Sequence, residues 1–143
     1  VIRKALEPSF WQCVVDADAL INIERKYGIE TLEKLKGSLL ITDHVEFDVA
    51  RHPKIPRSDP LRKFVERNPN IVTHFKEDEG QEYLQIRARH PHLGAGEVSS
   101  MVVALKRNLT LVTDEKETKA TGKAKNIGIK TITSEDFIKG KNL

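Results

Sequence analysis

Cysteine is almost missing from this chain: its 143 residues contain one, Cys13, along with one methionine, one tryptophan and two tyrosines. A lone thiol cannot close an internal disulfide, which sets aside the small stapled folds of secreted proteins and fits a reducing cytoplasm. Followed by Val14 and Val15, Cys13 reads as a small apolar strand residue. No apolar run approaches the roughly 20 residues that a membrane-crossing helix needs. The opening VIRKALEPSF has no apolar stretch of the kind a secretory signal carries, so export is not expected. The phosphate-cradling loops GxxxxGKS/T and GxGxxG with its later acid are absent, as is the GxSxG elbow. Their absence weighs against nucleotide hydrolysis, dehydrogenation and serine-esterase chemistry.

What is present suits one globular domain over residues 1–143, with 38% hydrophobic and 31% charged residues. The net charge of +3 and isoelectric point near 9.0 would favour a polyanion if the cations gather on one face. Short β-rich segments recur at 11–15, 38–42, 70–75, 109–113 and 129–133. Helical patterns fill the intervals: 18–27, 29–36, 43–51, 59–67, 79–89 with Leu84 and Ile86 inward, and 97–107 stopped at Asn108. A short polar helix follows over 116–126, and Ser134 is expected to cap a last helix through Ile138. The proline-rich HPKIPRSDP, 52–60, reads as an exposed loop. Strands alternating with helices imply a three-layer α/β/α sandwich around a mainly parallel sheet of about five strands.

Ligands of open parallel sheets bind beyond the carboxyl ends of the strands. Asp16 follows the segment CVV directly and Asp114 follows LTLVT directly, so two chain-distant carboxylates reach one sheet edge. Glu97 enters from the turn GAGE at the start of a helix, where an acid also suits the helix dipole. In DHVEFDVAR, Val45 and Val49 mark the inward stripe, with Asp48 beside it and Glu46 further round. Asp18, two residues after Asp16, is expected to cap the helix running to Tyr27.

Carboxylates gathered without basic partners repel, and a hard divalent cation relieves that repulsion. All-oxygen ligands point to Mg²⁺ or Mn²⁺ rather than zinc, since Cys is single and the five histidines are scattered, with His90 and His92 flanking a proline in a turn. Such a site can activate water for in-line displacement at phosphorus, which makes phosphodiester hydrolysis the expected reaction. Two alternatives stand beside it. Asp16-Ala17-Asp18 resembles the D-x-D nucleophile of haloacid-dehalogenase-type phosphatases, and a binding module could keep the fold without turnover.

Taken in order, VVDADALI, ITDHVEFDVAR, GAGEVSSMVVAL and LTLVTDEKETKATGKAKNIGIKTITSEDF resemble the blocks of PIN-domain ribonucleases, the group that includes the toxins of VapBC toxin–antitoxin systems. The resemblance runs from about Cys13 to Ile138, and GxGE followed by an apolar strand and Thr-Asp is its more specific part. It implies that Asp16, Glu97 and Asp114 are metal-binding acids and that Asp48 stands where the family usually has Glu, with Glu46 as the other candidate. Glu115 resembles an additional acid, and Thr113 could hydrogen-bond a carboxylate or water. The resemblance further implies RNA as substrate, held by cations beside the acids, here Lys116, Lys119, Lys123 and Lys125. A cognate antitoxin and a homodimer are implied as partners. Ile23, Tyr27 and Ile29 serve either an exposed partner surface or the core.

Overall fold

The computed structural model describes residues 12–51, 59–114 and 127–141. Five strands form one all-parallel sheet: β1 (Cys13–Val15), β2 (Leu39–Thr42), β3 (Val72–Thr73), β4 (Leu111–Val112) and β5 (Thr131–Ile132), in the order β3-β2-β1-β4-β5. The helices among the described residues are α1 (Ala17–Tyr27), α2 (Ile29–Leu35), α3 (Asp43–Glu46), α4 (Asp59–Arg67), α5 (Glu77–Arg89), α6 (Ala95–Arg107) and α7 (Ser134–Gly140). A π-helical segment, Phe47–Arg51, continues α3.

Side-chain alternation along the strands separates two cores. Cys13 and Val15 of β1, Leu39 and Ile41 of β2 and Val112 of β4 face one side, packed with Leu20, Ile23, Leu32, Val45, Phe64 and Phe137. Val14, Leu40 and Leu111 face the other, against Ile86, Val98, Met101 and Val102. The period of two in the strands therefore puts α5 and α6 on one face and the remaining helices on the other, which completes the three layers.

α1 has 11 residues, too few to be stable alone in water, and it is held by burying Ala19, Leu20 and Ile23 on one stripe. Full burial of Leu20 and Ile23 contributes roughly 1.5–3 kcal/mol each. The helix stops at Gly28, whose φ of 92° is open to glycine and strained for other residues. Asn108 stops α6 in the left-handed conformation, φ 54° and ψ 48°, as its sequence position predicts. Ile23 is fully buried, and Tyr27 and Ile29 are half-buried against the first core, so packing is the use of that apolar group.

Some expectations need correction. Strands are shorter than the β-rich segments, because chain pairing continues only as isolated hydrogen bonds past their ends: Asp16 N–H donates to Val112 O at 3.2 Å and Thr113 N–H to Ile132 O at 3.0 Å. Leu84 is 68% exposed, so only Ile86 of that expected pair is inward. The inward face of α5 instead carries Glu79, which takes both Nε and an Nη of Arg107 at 2.7 and 2.9 Å and the Lys76 N–H at 2.7 Å. Arg107 also donates to Thr73 Oγ1 and His74 O, which ties α5 and α6 to the end of β3. The helix expected over 59–67 forms as α4, so Asp59 and Pro60 belong to its first turn, where proline is tolerated, and not to the 52–60 loop. The rest of that loop, 52–58, and the helix expected over 116–126 lie outside the described residues.

Candidate active site

The strand order reverses at β1, which pairs with β2 on one side and with β4 on the other. Such a switch point opens a crevice at the carboxyl ends of the two central strands. Asp16 and Asp114 leave β1 and β4 on either side of it.

Asp16 is 4% exposed and is itself the N-cap of α1, its Oδ1 accepting the Ala19 N–H at 2.9 Å. Asp18, expected in that role, sits instead in the first turn and is exposed. The helix begins one residue before the expected 18–27 pattern and its cap lies two residues earlier, because Asp16 already has the extended backbone that a cap requires. Burial pushes the Asp16 carboxyl up to about 7, against hydrogen bonds from the Thr113 hydroxyl and Ala19 N–H that favour the anion. Its charged neighbours Asp18 and Asp114 are both acids and add to the rise.

Asp114 has the opposite surroundings. Its Oδ1 accepts the Ser134 N–H at 2.8 Å, and its Oδ2 accepts Asn22 Nδ2 at 2.8 Å and Ser134 Oγ at 2.7 Å. Partial burial pushes its pKa up, but the bonds from Asn22 and Ser134 and the charge of Lys26 outweigh that, so it falls below the usual aspartate value. Bonds from the described residues use three of its about four lone-pair positions. Ser134 therefore does not cap α7; Thr133 does, accepting the Asp136 N–H at 3.1 Å.

The other two acids each lie against the start of α6. A Cβ on Gly96 would stand 2.8 Å from Asp48 Oδ2 and 3.7 Å from Val45 Cγ2, so the second glycine of GAGE is what lets the Asp48 carboxylate approach this helix. Glu97 is half-buried, with Oε1 3.9 Å from the Cβ position of Gly94, curled toward its own helix start. A relay of hydroxyls fixes the two elements: Thr42 Oγ1 accepts the Val45 N–H at 3.1 Å and contacts Ser99 Oγ at 2.7 Å, and Ser99 Oγ donates to Gly96 O at 2.9 Å. Ser100 Oγ donates to the same carbonyl at 2.8 Å. Asp48 lies in the π-helical segment, whose extra residue per turn shifts it off the α-helical stripe; such bulges recur at functional sites. Glu46 instead pairs with Arg51 at 3.0 Å on the surface.

A family model described as a PIN domain, DUF3368, matches residues 12–133, from the entry to β1 through the end of β5. The chain belongs to the PIN-domain family. No curated protein matches it in sequence. PIN domains have a nuclease-type fold, hydrolytic in general, and PIN nucleases typically use divalent metals.

The donor chemistry of this PIN domain fits a hard divalent cation. Asp16, Asp48, Glu97 and Asp114 are all oxygen donors, and the raised pKa of Asp16 marks a buried acid with acids for neighbours. Among the described residues, no three His, Cys, Asp or Glu side chains are gathered tightly enough to hold an ion, so the four acids do not form a closed cage. Thr113 is buried and bonded to Asp16. His90 and His92 rings stand 6.0 Å apart, edge to face. Glu115, Lys116, Lys119, Lys123 and Lys125 lie outside the described residues. Sequence reading missed Asn22 and Ser134 as partners of Asp114. Ser134 reads in the sequence as a helix cap, and Asn22 carries no spacing signal that separates it from any polar residue on a solvated helix face.

Proposed function

We propose that this PIN domain is a Mg²⁺- or Mn²⁺-dependent endoribonuclease that hydrolyses RNA phosphodiester bonds at the switch point between β1 and β4. The observation that carries the reading is Asp16, a nearly inaccessible acid at that point whose pKa burial raises to about 7, with Asp18 and Asp114 adding to the rise. A divalent ion, when bound, lowers the pKa of water and stabilises charge on the attacking and leaving oxygens. Asp16, Asp48, Glu97 and Asp114 would hold it. Asp114 enters as a fixed anion, kept ionised by Asn22 and Ser134. Asp16 must exchange a proton for the cation near neutrality, while Thr113 and Ala19 orient its carboxylate. Glu46, Asp18 and Glu115 are left to secondary contacts through water.

The test is cleavage of end-labelled single-stranded RNA with Mn²⁺ or Mg²⁺, abolished by EDTA, with single-stranded DNA in parallel. Asp16→Asn and Asp114→Asn cleaving as fast as the parent would remove the site assignment. A toxin role, with a cognate antitoxin, a homodimer and a cytoplasmic setting, extends the proposal. Its measurement is growth arrest on induction, relieved by Asp16→Asn. One observation favours a second reading, a PIN-fold module that binds RNA or protein without turnover: most acceptor positions of Asp114 are already filled from within the chain. RNA binding with no cleavage under any divalent ion would select it. Membership in the PIN family leaves the aspartyl-phosphate alternative at Asp16 without support.

A further inference from the structure

Asp114 forms part of the wall of a cleft of about 430 Å³ that lies between α1 and α7. Among the described residues, the rest of the wall is Asn22, Arg25 and Lys26 of α1 with Thr133, Ser134 and Glu135. The volume falls within the roughly 300–1,000 Å³ of small-ligand sites. A second cavity, about 190 Å³ and lined by Cys13, Phe137 and Lys141, lies at the opposite end of the strands and is mainly apolar.

Asn22, Arg25 and Lys26 are spaced i, i+3 and i+4, so one face of α1 presents an amide, a guanidinium and an ammonium to the same cleft. Asn22 gives one amide hydrogen to Asp114 and retains a second. Arg25 is exposed and has no ion-pair partner among the described residues. Lys26 reaches Glu135 only at 3.9 Å, while Lys139 holds the same carboxylate at 3.0 Å; it also lies over the Tyr27 ring, 5.7 Å from the centroid, which leaves its ammonium hydrogens for a ligand. A guanidinium beside an ammonium is a phosphate-binding pair. Two acids also line this cleft, but both are engaged within the chain, Asp114 by Asn22 and Ser134 and Glu135 by Lys139, so Arg25 and Lys26 are the charges it offers to a phosphate.

We propose that this cleft binds the phosphodiester next to the scissile one in a single-stranded RNA, with Arg25 and Lys26 holding the phosphate and Asn22 bridging the cleft to Asp114. The inference rests on the nuclease reading and assigns its substrate a direction, from the acids toward the gap between α1 and α7.

The experiment is fluorescence anisotropy of a labelled 12-nucleotide single-stranded RNA in EDTA, which stops turnover, across 50–200 mM salt, with Arg25→Ala/Lys26→Ala against the parent. Binding should weaken roughly tenfold or more, the scale of removing charge-assisted hydrogen bonds. The slope of log affinity against log salt should fall by about 0.7 for each phosphate no longer neutralised. With Mn²⁺ added, cleavage of the same RNA should lose more in KM than in kcat. Lys36→Ala and Lys130→Ala, exposed positions just ahead of β2 and β5 at the other sheet edge, should keep the parent's affinity and slope. A double variant that binds with the parent's affinity and slope overturns the cleft while cleavage by the parent stands. Binding lost in the double variant of a parent that never cleaves overturns the nuclease reading instead; a parent that binds no RNA in EDTA overturns the cleft, and one that also leaves the RNA uncleaved with Mn²⁺ overturns both.

Discussion

Asp16 and Asp114 are the same residue type at the same end of neighbouring strands, yet their surroundings drive them apart. Asp16 is buried, with a carboxyl raised to about 7, whereas Asp114 is wrapped by Asn22 and Ser134 and lowered. Groups whose environments separate their pKa values have separate roles. Asp114 is an anion that folding has already stabilised. Asp16 is an anion that folding opposes, and a cation is what would reverse the opposition.

The largest effect expected from breaking this pair is on catalysis. Asp16→Asn keeps a good N-cap, since asparagine caps as well as aspartate, and removes only the ionisable oxygen. Cleavage should fall by about two to three orders of magnitude, the scale of losing one preorganised electrostatic group, with the circular dichroism spectrum unchanged. If the activity survives, the buried acid belongs to the fold and not to the chemistry.

The same substitution should act on stability in the opposite sense. The Asp16 pKa is about 7 folded and near 3.8 unfolded, so between those values the folded state holds a proton that the unfolded state has lost. Stability from this group is full below about pH 4 and is lost as pH rises toward and past 7. A shift of that size corresponds to roughly 4 kcal/mol. In EDTA at pH 8, Asp16→Asn should therefore melt higher than the parent, and the advantage should vanish by about pH 4. Added Mn²⁺ should raise the melting temperature of the parent more at pH 8 than at pH 6, because the ion competes with the proton.

Next in size is the approach of Asp48 to α6. Gly96→Ala puts a Cβ 2.8 Å from Asp48 Oδ2, at the flexible end of a side chain, so the fold should survive while the carboxylate is displaced. A loss of about 10- to 100-fold in cleavage, with Mn²⁺ affinity reduced by isothermal titration, is expected on the scale of disturbed metal surroundings. Removing the donors of Asp114 should cost less. Asn22→Ala leaves both Ser134 bonds, so Asp114 should remain an anion at neutrality, with its pKa moved upward and cleavage reduced about tenfold. The acidic limb of the pH–rate profile should stay where Asp16 sets it, because Asp114 is already ionised there.

The sheet was readable because its signals are additive along the chain: β-rich segments, helical stripes and their alternation leave few parallel topologies. Asp16 and Asp114 were readable because strand ends converge on one edge. The environments of the two acids were not, since Asn22 and Ser134 reach Asp114 across 92 and 20 residues of chain. Gly96 was visible as a glycine in GAGE, but its reason lies in Asp48 on another element. The buried Glu79–Arg107 pair likewise resembles, in sequence, two charges on solvated faces.

Asp18→Asn carries the smallest expected effect, and it sharpens the contrast within VVDADALI. As a cap that asparagine could replace, Asp18 would tolerate the change; the structure makes the change mild for a different reason. The cap is Asp16, and Asp18 is an exposed acid in the first turn, worth roughly 0.3–1 kcal/mol through the helix dipole. It also adds to the repulsion that raises Asp16. Neutralising it should therefore cost a fraction of a kcal/mol in helix stability, lower the Asp16 pKa slightly, and leave cleavage within about twofold of the parent. A loss comparable to that of Asp16→Asn would place Asp18 among the ligands and end the asymmetry between the two residues.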